Sequence, residues 1–263
     1  MTTANAGTDS STIDVAGVPL SYESSGEGPV MALLPHETGS MGAGELQRLL
    51  AENHRVAAPT LPGWDGTPRH EWMGSVRDMA VLMNLTLDKR DAGPINLVGL
   101  GFGAWIAAEM ATMNQDRIAH LILVNPMGLQ PNDGEIMDQF LLGHEAYLQA
   151  GYHDLDRMAA HYSDGQPSVD ELVEQDENRE MTARIAWKPY MFSQTLAQLL
   201  TEVRIPTRVL ISSHDQIVPP SCGQQYVDAM PNATLGRIDD AGHFAAIEQP
   251  AALAQAITEF CAT

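Results

Sequence analysis

Leu97-Val98-Gly99-Leu100-Gly101-Phe102-Gly103-Ala104-Trp105 carries an unbroken apolar segment through three alternating glycines into a second apolar segment. Ile95, Leu97 and Val98 mark Ile95 to Val98 as a buried strand, with a buried helix following from Phe102 to Met113. A strand that turns into a helix over Gly-x-Gly-x-Gly has two readings. In a dinucleotide fold the pattern is Gly-x-Gly-x-x-Gly after the first strand, with an acid about 20 residues further on. Here the turn follows roughly the fifth strand, and Leu121 to Leu123 stand where the acid belongs. The other reading is a sharp strand-to-helix turn that presents its central residue, Gly-x-Ser-x-Gly. Gly99 and Gly103 suit that turn, because neighbouring chain passes too close for side chains.

Working outward, strand and helix signals alternate. Thr12 to Val15 and Val18 to Tyr22 flank Ala16-Gly17 like a hairpin. Val30 to Leu34, Arg55 to Ala58, Leu121 to Val124, Arg208 to Ile211 and Thr234 to Ile238 read as further strands. Helical patterns cover Gly44 to Ala51, Ser75 to Leu87, Ser221 to Met230 and Pro250 to Phe260, with Ser75 and Asp78 spaced as a capping pair. Repeated strand–helix units predict a mostly parallel α/β sheet with helices on both faces. Residues 12–127 and 201–263 form that core, and residues 1–11 read as a flexible tail. Between them, residues 128–200 show no strand period. That segment holds thirteen acidic residues against Arg157, Arg179, Arg184 and Lys188. It is expected to be an inserted helical lid over the sheet, its charges mostly facing water.

Composition narrows the function classes. Apolar residues make up 44% of the 263-residue chain and charged residues 18%, which excludes bulk disorder. A net charge of −20 repels phosphate backbones and anionic membrane surfaces, so neither nucleic acid nor membrane is an expected partner. Polyanionic substrates are disfavoured for the same reason. Cys222 and Cys261 build no disulfide framework, and the first eleven residues lack the basic start and apolar run of a signal peptide. A cytoplasmic monomer or homodimer is the expectation.

Four motifs in order resemble the α/β-hydrolase superfamily from about residue 12 to residue 261. Ala58-Pro59-Thr60-Leu61-Pro62-Gly63-Trp64-Asp65-Gly66-Thr67 is similar to the family's loop after its fourth strand. The glycine turn resembles its nucleophile elbow, Ser213-His214-Asp215-Gln216-Ile217-Val218-Pro219 its acid loop, and Asp240-Ala241-Gly242-His243-Phe244 its histidine loop. The resemblance implies lid-containing serine hydrolases, with one departure. The position of the nucleophilic serine is Gly101, which has no side chain to acylate. Glycine tolerates the strained φ/ψ of an elbow, so the turn survives without serine chemistry.

The resemblance makes His243 a general base and Asp215 the group that orients it; alone, each would be an ordinary loop residue. The oxyanion loop departs from the family's His-Gly pattern and reads Leu34-Pro35-His36-Glu37-Thr38-Gly39-Ser40. Pro35 has no N–H, so a hole for a developing oxyanion would use His36 or Glu37 together with Phe102. The side chains of His36 and Glu37 either point to solvent or enter the pocket. Trp64, Trp187 and Tyr190 are candidates to line a substrate site, each with a core role as the alternative. His144, His153 and His161 have no metal-motif spacing, and neither a metal nor any cofactor is expected.

Three functions follow. The first is a cofactor-independent enzyme in which the His243–Asp215 dyad acts on water, or on the substrate in elimination, isomerisation or cyclisation. Its substrate would be small, largely apolar and neutral. The second is a non-catalytic binder of small molecules. The third is a serine hydrolase whose nucleophile has been mutated to glycine.

Overall fold

The computed structural model describes residues 9–41, 43–90, 93–162 and 165–263. Eight strands form one sheet: β1 (Asp9–Val15), β2 (Val18–Ser25), β3 (Val30–Leu34), β4 (Arg55–Pro59), β5 (Ile95–Leu100), β6 (Ile118–Val124), β7 (Thr207–Ser212) and β8 (Ala233–Ile238). Their order is β1-β2-β4-β3-β5-β6-β7-β8. β2 pairs antiparallel with both β1 and β4, and every other pair is parallel. The fold is the mostly parallel α/β sheet that the sequence predicts.

The β1–β2 turn falls at Ala16-Gly17, both with positive φ, as a tight hairpin requires. The start of β1 departs from expectation. Asp9, Ser10 and Ser11, expected in the tail, pair with Ser24, Glu23 and Tyr22. Edge pairing with β2 orders three polar residues that have no apolar pattern of their own. The rest of the expected tail, residues 1–8, lies outside the described residues.

Alternation along the central strands builds two cores. Leu97, Leu121 and Leu123 face one side, where α2 (Val76–Arg90) and α3 (Phe102–Met113) pack. Val98, Leu100, Ile122 and Val124 face the other, against α1 (Gly44–Leu50). Phe102 to Ala111 are buried without a break, so α3 is a core helix rather than an amphipathic one. Its one acid, Glu109, is paired with Arg77 at 2.8 Å. The expected capping pair is present, with Asp78 N–H donating to Ser75 Oγ at 3.2 Å.

Between β6 and β7 lie α4 (His144–Gly151), α5 (Leu155–His161), α6 (Val169–Ala186) and α7 (Leu196–Leu200). Among the described residues no strand of the sheet falls within 128–200; the backbone there makes one isolated bridge, Gly128 to Phe192. Ser168 and Glu171 close a reciprocal capping box that starts α6. After β7 come α8 (Pro220–Ala229), then β8, the single turn α9 (Ala245–Glu248) and α10 (Pro250–Cys261). The last two pack on the same face as α1.

Candidate active site

Parallel strands end on one edge of the sheet, and the loops that leave β3, β5, β7 and β8 there carry His36, Glu37, Gly101, Asp215 and His243. The β5–α3 turn is the tightest of them. Gly101 has φ +51° and ψ −108°, in the left-handed half of backbone space that a Cβ penalises. Its N–H donates to Val124 O at 2.9 Å, which ties the turn to β6. A Cβ on Gly99 would strike Gly103 O and the Ala104 backbone, and one on Gly103 would strike Pro35 O and Leu34 O. The flanking glycines are therefore required by close chain passage, as the sequence suggests.

Gly101 itself faces polar atoms. A Cβ built there would meet His36 Nδ1, then Glu37 Oε2 and His243 Nε2, the last two at 2.9 Å. The side chains of His36 and Glu37 thus enter the pocket; they do not point to solvent. Both are buried, as is His243. His36 Nδ1 and Nε2, Glu37 Oε2 and His243 Nε2 all lack a hydrogen-bond partner among the described residues. So many orphaned polar atoms around one point are uncommon in a folded interior.

His243 follows β8 and is held from both sides. Its Nδ1 lies 2.8 Å from Asp215 Oδ2, which makes Nδ1 the protonated nitrogen and turns Nε2 toward Gly101. The other Asp215 oxygen accepts from Ile217 N–H at 2.8 Å and Val218 N–H at 2.9 Å, fixing the carboxylate. On the far side, His243 Nε2 is 3.5 Å from Glu37 Oε1, an ion-pair distance rather than a formed hydrogen bond. Burial alone would depress the His243 imidazolium. The Asp215 and Glu37 carboxylates outweigh it and raise the pKa to about 10. Burial likewise pushes the Glu37 carboxyl up, but attraction to His243 prevails and holds it well below the usual range. Burial keeps His36 below the ordinary histidine value.

Three further residues complete the arrangement, and sequence reasoning missed each. Tyr147 on α4 donates its hydroxyl to Glu37 Oε1 at 2.9 Å. Asn125, at φ +46° after β6, donates to His243 O at 2.9 Å and accepts from Ser212 N–H at 2.8 Å. Glu248, fully buried in α9, accepts from Gly242, His153 and Asp154 N–H groups at 2.6, 2.9 and 2.7 Å. A buried acid five residues after the histidine was the one legible signal. Tyr147 and Asn125 had none, since their partners lie 87 or more residues away in sequence.

The aromatic candidates divide. Trp64 is fully buried; its Nε1–H donates to Glu37 O at 3.0 Å and its ring tilts over Phe102. It supports the oxyanion loop from behind. Tyr190 binds Met137 O and Gln139 N–H through its hydroxyl, and Trp187, half exposed, packs on Phe140 and Tyr190. Neither makes a contact with His36, Glu37 or His243 among the described interactions. Cys222 is a buried thiol raised to about 12 by burial, as a small core residue should be.

Residues 33–256 match the model of the alpha/beta hydrolase family. The chain is similar to 2-hydroxy-6-oxononadienedioate/2-hydroxy-6-oxononatrienedioate hydrolase 2 of Pseudomonas putida, at 23% identity over 92% of this chain and 91% of that protein. The corresponding hydrolase 1 of Dechloromonas aromatica is 25% identical over 86% of this chain and 84% of its own length. A meta-cleavage product hydrolase from Pseudomonas fluorescens superposes with a TM-score of 0.76 at 20% identity, over 95% of this chain and 96% of that one. No helix among the described residues is long and apolar enough to cross a membrane.

Proposed function

The chain belongs to the α/β hydrolase family, and from that premise we propose that it is an enzyme which hydrolyses a small, largely apolar, neutral carbonyl compound without an acyl-enzyme intermediate. Its catalytic group is His243, oriented by Asp215, with Glu37 and His36 facing the same point. Water takes the place of the serine hydroxyl. The observation that carries this reading is the convergence of His36 Nδ1, Glu37 Oε2 and His243 Nε2 on the volume beside Gly101, all buried and without hydrogen-bond partners. A water needs two to four polar partners and roughly 10–15 Å³ of accessible space. The three converging atoms meet the first of these requirements. His243 in its neutral form, the minor species below its pKa of about 10, would take one proton from the water, and the water oxygen would form the bond to the carbonyl carbon. The bond to the leaving group breaks, and the proton returns to that group. The curated relatives, both named as hydrolases, support the reaction class.

Helices α4 to α7 act in this reading as a lid, with Tyr147 of α4 holding Glu37 in place. A pure binding protein would gain little from an imidazole fixed by a carboxylate on each side. His243→Ala is expected to lower turnover of an activated ester by about 10²–10⁴-fold with little change in KM. Asp215→Asn should cost the same or less, because the imidazole stays but can adopt the wrong tautomer. Steady-state kinetics on both variants is the test, and full turnover in His243→Ala would sink the proposal.

A further inference from the structure

We propose that His36, Glu37 and His243 bind one divalent first-row transition ion of the Zn²⁺ class, in the volume that a side chain on residue 101 would fill. The inference rests on the reading above in taking water as the nucleophile and changes one role: His243 Nε2 would ligate the ion, and the ion, not His243, would lower the pKa of the water. The three donor atoms lie within 4.8 Å of one another, and all three residues are buried. His36 Nδ1, Glu37 Oε2 and His243 Nε2, one atom from each residue, are also the three heavy atoms nearest to a Cβ built on Gly101. One point in space is therefore ringed by two imidazole nitrogens and a carboxylate oxygen, none of them hydrogen-bonded among the described residues, although both imidazoles lie at ion-pair distance from Glu37. Two histidines and one carboxylate, with a position left open for water, is a donor set of catalytic zinc and of other divalent ions.

The outer contacts suit the same assignment. A ligating histidine characteristically gives its other N–H to a carboxylate, and His243 Nδ1 does so to Asp215 Oδ2 at 2.8 Å. Tyr147 occupies Glu37 Oε1 at 2.9 Å, which leaves Oε2 free to ligate. On binding, the ion would displace the Nε2 proton of the His243 imidazolium and take over its balance of the Asp215 and Glu37 carboxylates. Glycine at 101 then has a reason beyond backbone strain, because any side chain there would sit on the ion. In turnover the ion-bound water would give up one proton and add its oxygen to the carbonyl carbon. The leaving group departs with that proton, and water is the only co-reactant.

A second cluster, His153, His214 and Asp240, also has the spacing of a metal site, but it is exposed. Its two imidazoles stack at 3.7 Å between ring centroids. It serves as the control.

The test uses full-length protein stripped with EDTA, titrated with Zn²⁺ by calorimetry and with Co²⁺ by visible absorption. One Zn²⁺ per chain is expected, together with the d–d bands of four- or five-coordinate Co²⁺. His36→Ala and Glu37→Gln should each weaken binding by at least about 100-fold, and Asp215→Asn by about 10–100-fold. Gly101→Ser should abolish it. His214→Ala should leave it unchanged. Circular dichroism establishes that each variant is folded. If His36→Ala does not fold, X-ray absorption of Zn²⁺-loaded His214→Ala decides instead, and a first shell without two imidazoles overturns the site. Absence of saturable binding to the parent overturns the inference, as does binding that survives His36→Ala and is lost in His214→Ala. A parent that binds no ion yet loses turnover in His243→Ala overturns the metal site alone and leaves the water reading standing.

Discussion

At the scale of the residue, Gly101 is the point on which His36, Glu37 and His243 converge. Its positive φ costs a residue with a Cβ about 1–2 kcal/mol, and the space a side chain would need is bounded by His36, Glu37 and His243. Gly101→Ser is therefore expected to lose stability by about that amount in urea unfolding and to give no acylation burst with an activated ester. A full burst would mean that the serine machinery is otherwise intact and that glycine is the altered residue. The pairing of Asp215 with His243 was legible in the sequence because both sit in short motifs. The fate of His36 and Glu37 was not. Nothing local distinguishes an amide donor from a side chain that folds inward, and only the packing of Trp64 and Tyr147 on Glu37 settles it.

Elements place these residues through a few buried hydrogen bonds rather than through long segments. Single-turn α9 shows this best: one carboxylate, Glu248, gathers N–H groups from the histidine loop and from the start of α5. Glu248→Gln keeps the shape but can turn an NH₂ toward a backbone donor. Hydrogen bonds to charged groups contribute about 1.5–3 kcal/mol each. The variant should thus lose about 2–3 kcal/mol in urea unfolding, and turnover should fall with it as the His243 loop shifts. Unchanged stability would show that the three N–H groups find other acceptors. Strands with unbroken apolar runs were readable from period alone, whereas α9 was not, since four residues give no helical repeat to read. The first three residues of β1 escaped for a related reason: their strand is imposed by β2.

At the scale of the molecule, burial is dense in the central strands and thinner in parts of the helical segment between β6 and β7. The buried residues of β5 and β6 contrast with α5, which has none, and with the exposed Val169, Leu172 and Val173 on α6. Amide exchange in α5 and the first turns of α6 is expected to run well ahead of β5 and β6, and to slow when a substrate analogue binds. Uniform protection would argue against a lid. The insertion was legible as a lost strand period and expected as a lid, but the contact of Tyr147 with Glu37 was not legible, because it forms across the tertiary fold. The central claim is hydrolysis without a covalent intermediate, and it is tested most directly by the intact mass of the whole chain, acid-quenched during steady-state turnover of an activated ester. The account predicts the unmodified mass from an actively turning-over enzyme. A stoichiometric acyl adduct on any residue of the pocket would contradict it.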